Sequence, residues 1–171
     1  MCGIVAAAAE RDVVPILLSG LRALEYRGYD SAGLSIYHDG NLSRARTVGK
    51  VRELEARLES EANAQPHQSV ESIGVVHNGI IENHVALREE LKGLGYRFDS
   101  ETDTEVIAHL VHHYASKGLN LRLSVMAAIE RLHGAFAIAV ISRDEPGHVI
   151  GARRGSPLVV GMGIGENFLG S

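Results

Sequence analysis

The chain has 171 residues, 45% of them hydrophobic, which suits one domain with a real buried core and does not fit a disordered segment. Its 17 lysines and arginines against 21 aspartates and glutamates leave a formal charge of −4 with no block of like charge, so neither a nucleic-acid footprint nor an anionic-membrane surface is indicated. The apolar runs are too short to span a bilayer, no secretory leader is visible at the start, and one cysteine allows neither an internal disulfide nor a thiolate zinc cluster, so a cytoplasmic location is expected.

GIVAAAA (3–9) reads as a short buried strand. Val14, Leu17, Leu18, Leu21 and Leu24 then recur at helical spacing, with Asp12 placed to cap and Pro15 tolerated in the first turn. LSIYH (34–38) and LSRARTV (42–48) form an expected β-hairpin around Asp39-Gly40. VRELEARLE (51–59) reads as an exposed, charge-laced helix, and the polar SEANAQPHQSVES stretch (60–72) as a loop. SIGVVHN (72–78) is an expected strand ending at Asn78-Gly79. HVALREELKGLG (84–95) is an amphipathic helix stopped by Gly95. Thr102 and Glu105 fit a capping box opening a helix that runs toward Gly118, and 121–134 reads as another helix. AFAIAVIS (135–142), HVIGARR (148–154) and PLVVGM (157–162) follow as strands, and the glycines of GMGIG (161–165) read as turn glycines. The order predicts a mixed α/β sandwich with antiparallel pairing.

Cys2 has a plain reading as a small hydrophobe at a strand start. Three features favour a nucleophile. Initiator methionine is readily removed before a small residue, which makes Cys2 terminal. Its α-amine, a group that ordinarily titrates at about 7.7–8, can then take the thiol's proton near neutral pH. Gly3 allows close approach to the sulfur.

Three other stretches carry polar groups in suggestive places. LEYRGYDSAGL (24–34) brings Arg27, Asp30 and Ser31 together in a glycine-punctuated loop. In VHNGIIEN (76–83), Asn78-Gly79 is equally well a turn or a pair of amide donors forming an oxyanion hole. Asp103 falls on the apolar face of Val106, Ile107, Leu110, Val111 and Tyr114, either as a helix-dipole partner or as a carboxylate aimed at a ligand. His109, His112 and His113 share a surface but lie off that stripe and read as solvated side chains, not as metal ligands.

MCGIV, LEYRGYDSAGL, VVHNGIIENH, SETDTEVIAHL and GSPLVVGMGIGENF occur in this order, and together they resemble the class II, N-terminal-nucleophile glutamine amidotransferases. MCGI is shared with amidophosphoribosyltransferase, asparagine synthetase and glutamate synthase. YRGYDSAGL and VHNGIIENH with SETDTEVIAH resemble the glucosamine-6-phosphate-forming branch, the glutamine:fructose-6-phosphate amidotransferases. The resemblance implies a four-layer αββα sandwich of two antiparallel sheets between helical layers, an α+β fold. It implies Cys2 as nucleophile with its α-amine as general base, Asn78 and Gly79 as oxyanion donors, and Asp103 as the carboxylate for the α-amino group of L-glutamine. Arg27 and Gly28 would shape the site around the terminal amine. The implied reaction passes through a γ-glutamyl thioester and uses no metal or organic cofactor. In the family, the ammonia reaches a sugar isomerase domain that aminates fructose 6-phosphate, and the full-length enzymes are homodimers. An amidophosphoribosyltransferase-like glutaminase and a non-catalytic domain of the same fold stand as alternatives.

The chain departs from the family pattern in two places. Residues 1–171 read as one incomplete glutaminase domain, without its C-terminal end or the isomerase domain. The family's H-T-R-W-A-T-H-G stretch, which supplies an arginine for the glutamine α-carboxylate, has no counterpart between Ala62 and Asn63, and Gln65 replaces the first histidine of N-A-H-P-H. A real deletion there implies glutaminase activity that is absent or very weak.

Overall fold

The computed structural model describes residues 3–28, 31–61 and 72–171. Cys2, and the expected loop at 60–72 for most of its length, lie outside the described residues.

The first half builds one side of the molecule. β1 (Val5–Ala9) leads into α1 (Val14–Leu24), whose first turn holds Pro15 and whose Val14 N–H is taken by Asp12 Oδ1 at 3.0 Å, so Asp12 caps as its position predicted. A single 3-10 turn, Glu25–Arg27, precedes the hairpin of β2 (Ser31–His38) and β3 (Asn41–Val48). Asp39 and Gly40 have φ of 47° and 82°, the left-handed pair that a two-residue hairpin turn matching strand twist requires. α2 (Val51–Glu61) is not simply exposed as its charges suggested. Val51 and Leu54 are fully buried against Leu17, Ala32, Leu34 and Ala45, with Leu58 packed beside them. Glu25 Oε1 accepts from Val51 N–H at 3.1 Å and so caps this helix from a distance in sequence.

The second half builds the other side. β4 (Ile73–Ile81) pairs antiparallel with β5 (Gly134–Ser142), which pairs with β6 (Ile150–Arg154). Three helices cover this sheet: α3 (His84–Gly93), α4 (Asp103–Ala115) and α5 (Leu121–Arg131). Val106, Ile107, Leu110 and Val111 of α4 are each at most 1% exposed and meet Ile81, Leu91, Leu121, Val125, Phe136 and Ile138. Burial of each such side chain contributes roughly 1.5–3 kcal/mol.

The chain then returns. β7 (Val159–Met162) and β8 (Glu166–Gly170) form a hairpin closed by the glycines read as turn residues, with Gly163 N–H donating to Glu166 O at 2.8 Å. β8 lies between β7 and β1, joining the end of the chain to its start. The result is two hydrophobic cores, each between helices and sheet, with the sheets facing one another across a cavity: the layered, antiparallel arrangement expected from the sequence.

Candidate functional site

The cavity between the sheets has a volume of about 1380 Å³. Gly3, His77, Gly79, Asp103 and Thr104 line it together. Gly3 is covalently joined to Cys2, so the residue after Cys2 and the two motifs of the second half border the same cavity.

Asn78-Gly79 is not a turn. Both residues lie inside β4 and pair across the ladder with Ala137 and Phe136. The turn alternative is therefore removed. Gly79 has φ of 139°, and a Cβ there would lie 2.1 Å from Ala135 O and 2.7 Å from Phe136 Cα. Only glycine fits so close to the neighbouring backbone. Amides on a strand alternate between its two edges, and Ile81 N–H, two residues on, points away from β5 to bond Asp103.

The Asn78 side chain is already engaged. Its Nδ2 donates to Ser171 Oγ at 2.8 Å, and Ser171 N–H donates to Ile4 O at 3.1 Å. This relay ties β4 to the chain start beside Gly3. One of the two amide protons of Asn78 is used in it and one remains.

Asp103 opens α4 and is half-buried, with its side chain 23% exposed. Its Oδ2 accepts from Ile81 N–H at 3.0 Å, and its Oδ1 lies 3.5 Å from His77 Nδ1. Burial alone would raise the Asp103 pKa. The His77 ring, the Ile81 N–H and the positive potential of His77 and His84 outweigh it and hold the carboxyl below its ordinary value. Asp103 is thus ionised at neutral pH and suited to a cation such as an α-ammonium group.

The loop before Asp103 is clamped from two sides. Arg88 of α3 is buried, stacks over the Phe98 ring at 4.5 Å, and donates to Ser100 O at 2.7 Å and Thr102 O at 3.0 Å. Glu105, also buried, accepts from Asp99 N–H at 2.7 Å and from the Ser100 N–H and hydroxyl at 2.8 and 2.6 Å. The predicted capping box does not form. Thr102 holds the N-cap position without a side-chain cap bond, and Glu105 reaches past it to the preceding residues. The spacing was right, but the buried clamp claims the carboxylate.

Arg27 and Gly28 stand at the end of the 3-10 turn, where Gly28 N–H closes onto Glu25 O at 3.0 Å with φ of 79°. The Arg27 side chain lies outside what the structure describes, and Gly28 does not line the cavity. The three histidines of α4 are not simply solvated. His109 packs against Tyr96 and Phe98, His113 packs against Tyr96 and Tyr114, and His112 Nδ1 lies 2.9 Å from Tyr96 Oη. Sequence reasoning gave no role to His77 or Arg88, and cast Glu105 only as a capping residue. His77 could have been found from its place beside Asn78 in the same motif, whereas nothing in the sequence marks Arg88 as buried.

The chain matches the glutamine amidotransferase domain family over residues 1–169. It is 51% identical over 193 residues to a Pseudomonas aeruginosa protein named glutamine–fructose-6-phosphate aminotransferase (isomerizing), covering 100% of this chain and 32% of that one. A Shewanella oneidensis protein of the same name is 52% identical over 192 residues, with the same coverage. The chain thus spans about a third of the length of these relatives. An alignment of 193 positions against 171 residues leaves at least 22 positions of the Pseudomonas relative without a counterpart here. Among solved structures, a glutamine phosphoribosylpyrophosphate amidotransferase from B. subtilis shares the fold at TM-score 0.78 and 24% identity, covering 99% of this chain and 41% of that one. A structure described as the allosteric regulatory enzyme of purine biosynthesis matches at TM-score 0.80 and 25% identity, covering 99% and 42%.

Proposed function

The chain belongs to the glutamine amidotransferase domain family, and from that premise we propose that it releases ammonia from L-glutamine with Cys2 as the nucleophile. One observation carries the proposal: Gly3, the Gly79 backbone and the ionised Asp103 line a single cavity.

Removal of Met1 frees the Cys2 α-amine, which takes the thiol proton. The thiolate attacks the side-chain amide carbon of glutamine, and the carbonyl electron pair moves to oxygen. That oxyanion accepts hydrogen bonds from Gly79 N–H and from the remaining Asn78 amide proton. Collapse of the tetrahedral intermediate breaks the C–N bond, and the terminal ammonium returns its proton to the leaving nitrogen. A γ-glutamyl thioester and ammonia result. Water then attacks the thioester, the α-amine accepts its proton, and glutamate leaves as the thiol re-forms. Asp103 holds the α-ammonium group of the substrate throughout. Arg27 and Gly28 shape the surroundings of the terminal amine.

For the longer protein we read fructose 6-phosphate as the ammonia acceptor, bound in a sugar isomerase domain within a homodimer. The names of relatives at 51–52% identity support the acceptor. By the family pattern, the partner of the glutamine α-carboxylate sits in a segment between Ala62 and Asn63, and the proposed activity is that of a protein carrying that segment; without it, activity is absent or very weak. No helix among the described residues is long and apolar enough to cross a membrane, and the single cysteine suits a reducing cytoplasm.

The test is stoichiometry in the full-length protein. Each glutamine consumed should yield one glutamate and, with fructose 6-phosphate present, one amino-sugar phosphate, both lost in Cys2→Ala. Glutamine hydrolysis that survives Cys2→Ala would overturn the nucleophile. Hydrolysis without sugar amination would remove the acceptor alone.

A further inference from the structure

His77 performs no step in the chemistry above, yet it stands on the cavity wall with its side chain 3% exposed. It lies on β4 one residue before Asn78 and two before Gly79. Its Nδ1 is 3.5 Å from Asp103 Oδ1 and 3.4 Å from Thr104 Oγ1. Its Nε2 is buried and, among the described residues, has no hydrogen-bond partner. Buried polar atoms without a partner are few in folded proteins, and each calls for an explanation such as a role at a functional site.

The other edge faces Asp103. The two oxygens of that carboxylate are held differently. Oδ2 is fixed by a backbone N–H of β4, while Oδ1 meets a side chain of the same strand. With Oδ2 alone held, the terminal torsion of Asp103 is soft, because a carboxylate rotates broadly about its last bond. With His77 on Oδ1 as well, both oxygens are held and the carboxylate plane is set at the cavity wall. Thr104 Oγ1, next in sequence to Asp103, meets the same Nδ1 edge at 3.4 Å and packs beside Oδ1 there.

We propose that His77 is a positioning residue: through its Nδ1–H it orients the Asp103 carboxylate that receives the α-ammonium group of glutamine. The proposal rests on the reading of Asp103 given under Proposed function. His77 therefore acts on the α-amino end of the substrate and leaves the thiol untouched.

That division gives the test. Cys2 alkylation is followed by mass spectrometry with three probes: iodoacetamide, a γ-electrophilic glutamine analogue, and the same analogue lacking its α-amino group. Iodoacetamide reports whether the thiol is available. In the unaltered protein the amino analogue should react faster than its des-amino form. In His77→Phe, which keeps the ring volume and drops both nitrogens, that preference should fall about tenfold, as expected for loss of one charge-assisted hydrogen bond. The des-amino and iodoacetamide rates should stay unchanged. His77→Asn places an amide N–H near the position of Nδ1 and should restore most of the preference. A preference unchanged in His77→Phe, or an equal loss for all three probes, overturns the positioning role. Absence of any preference in the unaltered protein overturns the reading of Asp103 itself, and this inference with it. Imidazole nitrogen NMR of the unaltered protein is independent of whether the Phe variant folds. Protonation at Nδ1 is expected, and a ring protonated at Nε2 alone refutes the proposal.

Discussion

Gly79→Ala separates two roles that one residue combines. A methyl group at this position would sit 2.1 Å from Ala135 O and 2.7 Å from Phe136 Cα, both backbone atoms of the paired strand. Ordinary contact distances require β4 and β5 to part locally by about 1 Å. That loosens about two ladder hydrogen bonds, each worth roughly 1 kcal/mol net. Holding a non-glycine residue at φ of 139° adds about 1–3 kcal/mol. Together the variant should lose about 3–5 kcal/mol, or roughly 6–20 °C in Tm for a domain of this size. Urea denaturation followed by circular dichroism measures it. Gly93→Ala is the control, since a Cβ there has no heavy atom within 4 Å, and it should be neutral or stabilise by up to about 1 kcal/mol. A Gly79→Ala protein within about 0.5 kcal/mol of the parent, in the range of an ordinary surface change, would refute the close-approach reasoning. The glycine would then be retained for its N–H alone.

Other perturbations test the neighbourhood of Asp103. Glu105→Gln replaces one acceptor oxygen by an NH₂ facing the donors of Asp99 or Ser100, and should cost about 1–3 kcal/mol in urea denaturation through an unpaired buried group. Combined with Arg88→Met the losses should be less than additive, because both side chains hold the same loop. The Asp103 and Glu105 carboxyls are both held below their ordinary values. Their contribution is thus complete above the unfolded carboxylate range of about 4 and is lost as pH falls through the lower folded values. Stability should be flat near neutrality and fall below about pH 4, with a shallower fall in Asp103→Asn. An unchanged acid limb in that variant would contradict the assignment of the shift.

The sequence made parts of this molecule plain and hid others for physical reasons. Asp39-Gly40 declared its hairpin because few residues tolerate two successive positive φ angles. Asn78-Gly79 carries the same local signal but sits inside a strand, and only pairing with β5 distinguishes the two. The apolar spacing of Val51, Leu54 and Leu58 was visible in α2, yet its many charges drew the reading toward an exposed helix. β8 escaped notice because ENFLG is short, follows a glycine-rich run, and becomes a strand only through its pairing with β1 and β7. The capping box had the correct residues, but the carboxylate is taken by the Asp99 and Ser100 donors of a loop whose carbonyls a buried arginine from α3 also holds. The order of the site motifs was legible in the sequence. That Gly3, Gly79 and Asp103 share one cavity was not, since it depends on the two halves facing each other.

Whether the chain start is the nucleophile can be read from intact mass before and after reaction with a γ-electrophilic glutamine analogue. The expected protein lacks Met1 and gains one adduct, located on Cys2, slowed by excess L-glutamine and absent in Cys2→Ala. A retained Met1, or an alkylation of Cys2 that L-glutamine does not slow, would contradict a glutamine site built around a terminal cysteine.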